Sequence, residues 1–115
     1  YTPGDYLYAG SNNISEVAWY QVQSTNPVGQ KIPNEINLYD MSGNVWEWCN
    51  DFYSSSYYQQ SPTDDPVGPA NGTQHLKRGG GFMIAENCRI HGRGRNTADF
   101  SSEDLGLRIA RTKQY

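Results

Sequence analysis

Along most of the chain, hydrophobic and polar residues alternate over short runs, with little helical spacing. Ser11–Tyr20 (SNNISEVAWY) is the exception: Ile14, Val17 and Ala18 share one helical face, and Ser11, Asn12 or Asn13 can cap it. Val45–Cys49 alternates as a strand, with Val45, Glu47 and Cys49 on one side and Trp46 and Trp48 on the other. Leu76–Met83 (LKRGGGFM) reads as a second strand whose glycines allow a bulge or a close backbone approach. Leu105–Ala110 (LGLRIA) reads as the last strand. Between these, Asn26–Pro33 (NPVGQKIP) is punctuated as loop or edge strand, and Arg89–Arg95 (RIHGRGR) is irregular. Ser54–Thr73 is a long polar loop with paired Asp64 and Asp65. The expected architecture is α+β, rich in strands and loops, with little helix.

Composition sharpens this. The chain has 115 residues, one domain's worth, and only 36% are hydrophobic. Nine tyrosines, three tryptophans and three phenylalanines therefore carry the core, and their polar atoms need partners. With a net charge of −3 and the arginine-rich run Arg89–Arg95 only a local exception, nothing suggests a nucleic-acid footprint over the whole chain. No apolar run approaches the roughly 20 residues that cross a bilayer. No leader is recognisable, and a first residue of Tyr1 fits a processed or truncated piece. The compartment is left open, with an extracytoplasmic or cell-surface place favoured. Cys49 and Cys88 make one possible pair or two separate thiols.

The densest chemistry is Tyr39–Asn50, YDMSGNVWEWCN. Asp40 and Glu47 flank a tight turn at Gly43, and two carboxylates with carbonyls between them suit Ca²⁺. Equally, Asp40 can cap its own turn while Glu47 pairs with an arginine. Both histidines, His75 and His91, lack metalloprotease spacing, and no nucleophile elbow is present.

The ordered motifs NLYDMSGNVWEW, KRGGGF, ENCR and LGLRIA together resemble the formylglycine-generating enzyme (sulfatase-modifying factor) family, over about Ala9–Ala110. The resemblance implies a C-type-lectin-like fold with a small twisted antiparallel sheet and long loops. It also implies that this chain is a single domain or the C-terminal part of a longer one, completed by a missing N-terminal half or a partner chain. It places a structural calcium at Asp40, Gly43, Val45 and Glu47, and Trp46 at the substrate cleft. Trp48 is then expected in the core.

The enzymes of that family oxidise a substrate cysteine with two cysteines and copper(I). Here only Cys88 stands near the second position, and the first falls at Met83 or Ile84. A thioether lacks the redox and acid–base chemistry of a thiol. The expectation is a non-oxidase binding or structural module on a calcium-stabilised scaffold, with Cys88 catalytic only if the copper oxidase alternative holds. A further relative class implied by the resemblance is the retroelement-diversified variable ligand-binding protein. Its variable positions would be Met83, Ile84, Glu86, Ile90, His91 and Gly92. Across these readings the expected ligand surface comprises Trp46, Met83, Ile84, Glu86, Arg89, His91 and Arg93. Its guanidinium groups suit a peptide, a protein or a small anion.

Overall fold

A computed structural model describes residues 6–55, 57 and 68–111. The expected long loop, with Asp64 and Asp65, lies largely outside these residues. Helix α1 is a single turn, Ile14–Val17, and Asn13 caps it by accepting the Ser15 N–H. The chain turns extended at Ala18, so the helix is shorter than the Ser11–Tyr20 spacing suggests. Val17 and Ala18 are buried with Tyr8 and Cys88, and Ile14 and Tyr20 pack against this cluster.

Among the described residues the sheet has four strands: β1 (Trp46–Phe52), β2 (His75–Arg78), β3 (Arg93–Asn96) and β4 (Leu105–Gly106). Their order is β3-β2-β1-β4. β1 runs past its expected end at Cys49, and its pairing with β2 becomes irregular between Trp48 and Phe52. β2 stops at Arg78 because Gly79 and Gly80 adopt positive φ, which turns the chain away. The expected antiparallel sheet holds for β1/β2 and β2/β3. The β1/β4 pair is parallel, making the sheet mixed. β4 is also shorter than expected, and Leu107 and Ile109 beyond it are exposed.

Two expectations change here. The segment read as irregular from Arg89 to Arg95 ends in a true strand, β3, since Arg93–Asn96 pairs residue by residue with Arg78–His75. The depths of the two tryptophans also differ from expectation. Trp46, expected at a cleft, is only 7% exposed, because its strand is central and Lys77 lies 4.7 Å over its ring. Trp48, expected in the core, is half-buried and lines an open cavity.

The loops are gathered by the turn before β1. The buried Ser42 hydroxyl donates to the Cys88 carbonyl (2.8 Å) and accepts the Ala9 N–H (3.1 Å). The Gly43 N–H donates to Gly79 O (2.7 Å), and Asn44 N–H donates to Trp19 O (2.9 Å). The Asn44 side chain closes a two-way clasp on the Asn26 backbone, at 3.0 and 2.9 Å. Gly43 has φ +78, and a Cβ there would stand 2.6 Å from Trp19 O and 2.8 Å from Ala18 Cβ. Ser42→Ala strands a buried carbonyl and a half-buried N–H, and we expect it to cost about 2 kcal/mol in urea unfolding. Gly43→Ala, which adds strain and overlap, should cost more in the same measurement.

Candidate functional site

Asp40, Gly43, Val45 and Glu47 line one cavity of about 480 Å³, walled by Val28, Leu38 and Leu107 among others. Asp40 sits at φ +56 and is 7% exposed. One carboxylate oxygen, Oδ2, accepts the Gly29 N–H at 2.8 Å. The other, Oδ1, is buried without a hydrogen-bond partner. A buried carboxylate oxygen left unpaired is costly, so this atom suits a cation. The four residues anticipated for calcium line one cavity; among the described residues no three His, Cys, Asp or Glu side chains cluster, so a cation here would draw on backbone carbonyls beside the two carboxylates.

Glu47 is also held by Arg108. Arg108 Nε donates to Oε1 at 2.6 Å and Nη2 to Oε2 at 3.1 Å, while Nη2 also reaches the carbonyls of Tyr39 (2.8 Å) and Asp40 (3.3 Å). The hydrogen bond to Glu47 raises the Arg108 pKa above its ordinary range. Glu47 thus pairs with an arginine, as one of its two readings expected, and it also lines the cavity that holds Asp40. A carboxylate has lone pairs for both. Arg108 as the strap across this cavity, and Gly29 as the partner of Asp40, are not visible in the spacing of the sequence.

The two cysteines are free thiols. Cys88 is fully buried, and its thiol points to the carbonyls of Gly81 (3.6 Å) and Ile84 (3.7 Å). Burial pushes its pKa up to about 11. Cys49, half-buried on β1, is also raised by burial, with the Arg78 charge opposing the rise. Met83 and Ile84, at 48% and 51% exposed, point to solvent rather than to Cys88's enclosure.

The segment after β2 forms a short 3-10 helix, Ala85–Cys88, and then a turn. Met83, Ile84, Glu86, Ile90 and His91 are exposed along it. Arg78 Nη1 donates to the carbonyls of Ile90 and Gly92, both at 3.3 Å, and so holds the turn that presents His91. Arg89 is half-buried, with its Nε enclosed and unpartnered. Arg93 follows this turn as the first residue of β3 and is exposed. Arg95, also exposed, stacks on Tyr53 with 4.0 Å between guanidinium and ring centre, a contact that no sequence pattern signals.

Residues 4–113 match the family model for the sulfatase-modifying factor enzyme 1-like domain. The formylglycine-generating enzyme of Streptomyces coelicolor is 45% identical over 91 residues, which are 76% of this chain and 29% of that one. A chaperone protein, LppX, of Paenibacillus barcinonensis is 35% identical, over 95% of this chain and 42% of its own. The chain spans less than half the length of these curated relatives. Among solved structures, Treponema denticola variable protein 1 superposes with a TM-score of 0.77 at 31% identity, covering 90% of this chain and 40% of that one. PvdO from Pseudomonas aeruginosa superposes at 0.72 and 25% identity, covering 92% and 42%.

A thiol whose pKa rises from 9.0 to about 11 stays protonated at neutral pH. Between these values the unfolded thiol ionises first, so the folded state holds the extra proton and loses stability as pH climbs. Thermal melts should therefore fall from pH 9 to 11 less steeply in Cys88→Ala than in wild type. Disulfide-exchange reagents at pH 8 should label Cys49 and reach Cys88 only after unfolding.

Proposed function

The chain belongs to the sulfatase-modifying factor enzyme 1-like domain family, and within it we propose a non-oxidase binding module, built on a calcium-stabilised scaffold. The observation that carries this reading is the state of Cys88. It is enclosed by Tyr8, Val17 and Ala18, with a raised pKa, while Met83 and Ile84 supply no thiol. Oxidation of a substrate cysteine needs an accessible thiolate pair around copper(I), and the surroundings of Cys88 do not fit one. We assign ligand contact to the exposed residues Met83, Ile84, Glu86, His91 and Arg93. The ligand class is a peptide, a protein surface or a small anion. Trp46 is too buried to join them, and half-buried Arg89 can contribute only its outer edge.

The variable ligand-binding reading has a specific observation in its favour. The chain superposes on a protein titled variable protein 1, and five of the six positions expected to vary are exposed in one segment. Both readings put ligand contact on the same surface, and they differ in whether its residues change between copies of the gene.

In this proposal calcium relieves the unpaired Asp40 oxygen, with Gly43, Val45 and Glu47 completing the set. The ion would hold the turn before β1 in place. It takes no part in chemistry here.

Two measurements test this. Incubation of the chain with copper, oxygen and a peptide containing Cys-x-Pro-x-Arg should leave the cysteine thiol intact by mass spectrometry; conversion to an aldehyde overturns the proposal. Millimolar Ca²⁺ should raise the melting temperature by several degrees, roughly the effect of 1–2 kcal/mol of linked binding. In Asp40→Asn that rise should shrink to near zero, and an unchanged rise would remove Asp40 from the ion site.

A further inference from the structure

The approach to β2 carries a pair of residues that neither the ion cavity nor the ligand surface uses. Asn71-Gly72 is the one Asn-Gly step in the sequence. Asn71, Gly72 and Thr73 are exposed and lie outside any helix or strand, just before β2 opens at His75. Among the described residues, neither the Asn71 side chain nor the Gly72 N–H has a hydrogen-bond partner.

We propose that Asn71 is a self-modifying site, at which the chain converts its own asparagine to aspartate and isoaspartate. The main-chain nitrogen of Gly72, on losing its proton to hydroxide, attacks Asn71 Cγ. A C–N bond forms and closes a succinimide ring, and the side-chain nitrogen leaves as ammonia. Water then adds at one of the two ring carbonyls and opens the ring. Opening at one gives aspartate; opening at the other routes the main chain through the former side chain and gives isoaspartate. Nothing is oxidised or reduced, and water is the only co-reactant.

Three observations carry the proposal. The attacking nitrogen belongs to a glycine, so no side chain shields it and its backbone turns freely. No ladder or helix bond holds Asn71 or Gly72, so little structure has to open before the ring can close. Other asparagines are tied down. Asn13 Oδ1 accepts the Ser15 N–H at 3.2 Å and the Ser15 hydroxyl at 2.7 Å, and a branched Ile14 follows it. Asn44 is clasped to the backbone of Asn26.

Packing also explains why so labile a pair keeps its glycine. A Cβ on Gly72 would stand 2.9 Å from Phe52 Cβ, and the Phe52 ring packs on His75 with 4.4 Å between centres. Isoaspartate adds a methylene to the main chain directly before Gln74, whose carbonyl accepts the Tyr53 N–H at 2.7 Å. The conversion therefore loosens the β1/β2 pairing at the end where it is already irregular, between Trp48 and Phe52.

The test keeps the full chain at pH 8 and samples it over weeks by peptide mapping with fragment-ion sequencing. A blocked synthetic peptide, Pro-Ala-Asn-Gly-Thr, serves as the unstructured reference. Residue 71 should become heavier by about 1 Da, as NH₂ is exchanged for OH. Its rate should lie within about threefold of the peptide's. Asn13 should react about tenfold more slowly or less, because its hydrogen bonds must first break. Isoaspartyl methyltransferase should label aged wild type and leave aged Asn71→Gln unlabelled. Aged wild type should melt a few degrees below fresh protein, whereas Asn71→Gln keeps its melting temperature on ageing. A rate at Asn71 more than about threefold below the peptide's, or no faster than at Asn13, overturns the proposal. That comparison involves no variant, so it stands even where a substitution disturbs folding. A chain rich in isoaspartate that melts like fresh protein overturns the effect on β2.

Discussion

Burial forces the polar groups of Ser42, Gly43 and Asn44 to find partners, and those partners lie in five separate segments: Ala9, Trp19, Asn26, Gly79 and Cys88. Little of the chain is helix or ladder, so the usual internal pairing of backbone groups is scarce. One turn takes over that role. It needs a small hydroxyl, a residue free to adopt positive φ, and an amide that both donates and accepts. Ser, Gly and Asn meet those needs in that order, and a side chain at the middle position would collide with Trp19.

The same turn couples the acidic cavity to the core. Asp40 lies two residues before Ser42, and Glu47 follows within the first residues of β1. Arg108 straps Glu47 to the carbonyls of Tyr39 and Asp40, so a charge placed in the cavity acts on a frame already fixed at both ends. Cys88 sits at the other end of the Ser42 hydroxyl, through its carbonyl, with its thiol sealed in apolar surroundings. At 0% exposure, Cys88 is among the most fully enclosed of the described residues.

Much of this was legible in the residues. The alternation of Val45–Cys49 located β1, and the motif order identified the family that residues 4–113 match. The helix at Ile14–Val17 lay within the amphipathic window, but its length was set by the extended backbone at Ala18. β3 was missed because Arg-Gly-Arg-Asn has no apolar member, and its strand state comes from pairing with β2 rather than from propensity. Alternation puts both tryptophans on one face and says nothing of depth: Trp46 is buried by the strand order and by Lys77, which are tertiary facts. The four acidic-turn residues that the resemblance singled out line one cavity, whereas Gly29 and Arg108 reach it from distant segments.

The parallel β1/β4 pair is the contact of the sheet that spans the greatest length of chain. Its contacts join residues about sixty positions apart, as in the Glu47–Arg108 bond with a separation of 61, so the sheet cannot close until the chain has been made almost to Arg108. Loop-closure entropy must be met before that pairing returns any stabilisation. A nascent chain on the ribosome therefore carries the aromatic strand β1 with one flank uncovered until Leu105–Gly106 emerges.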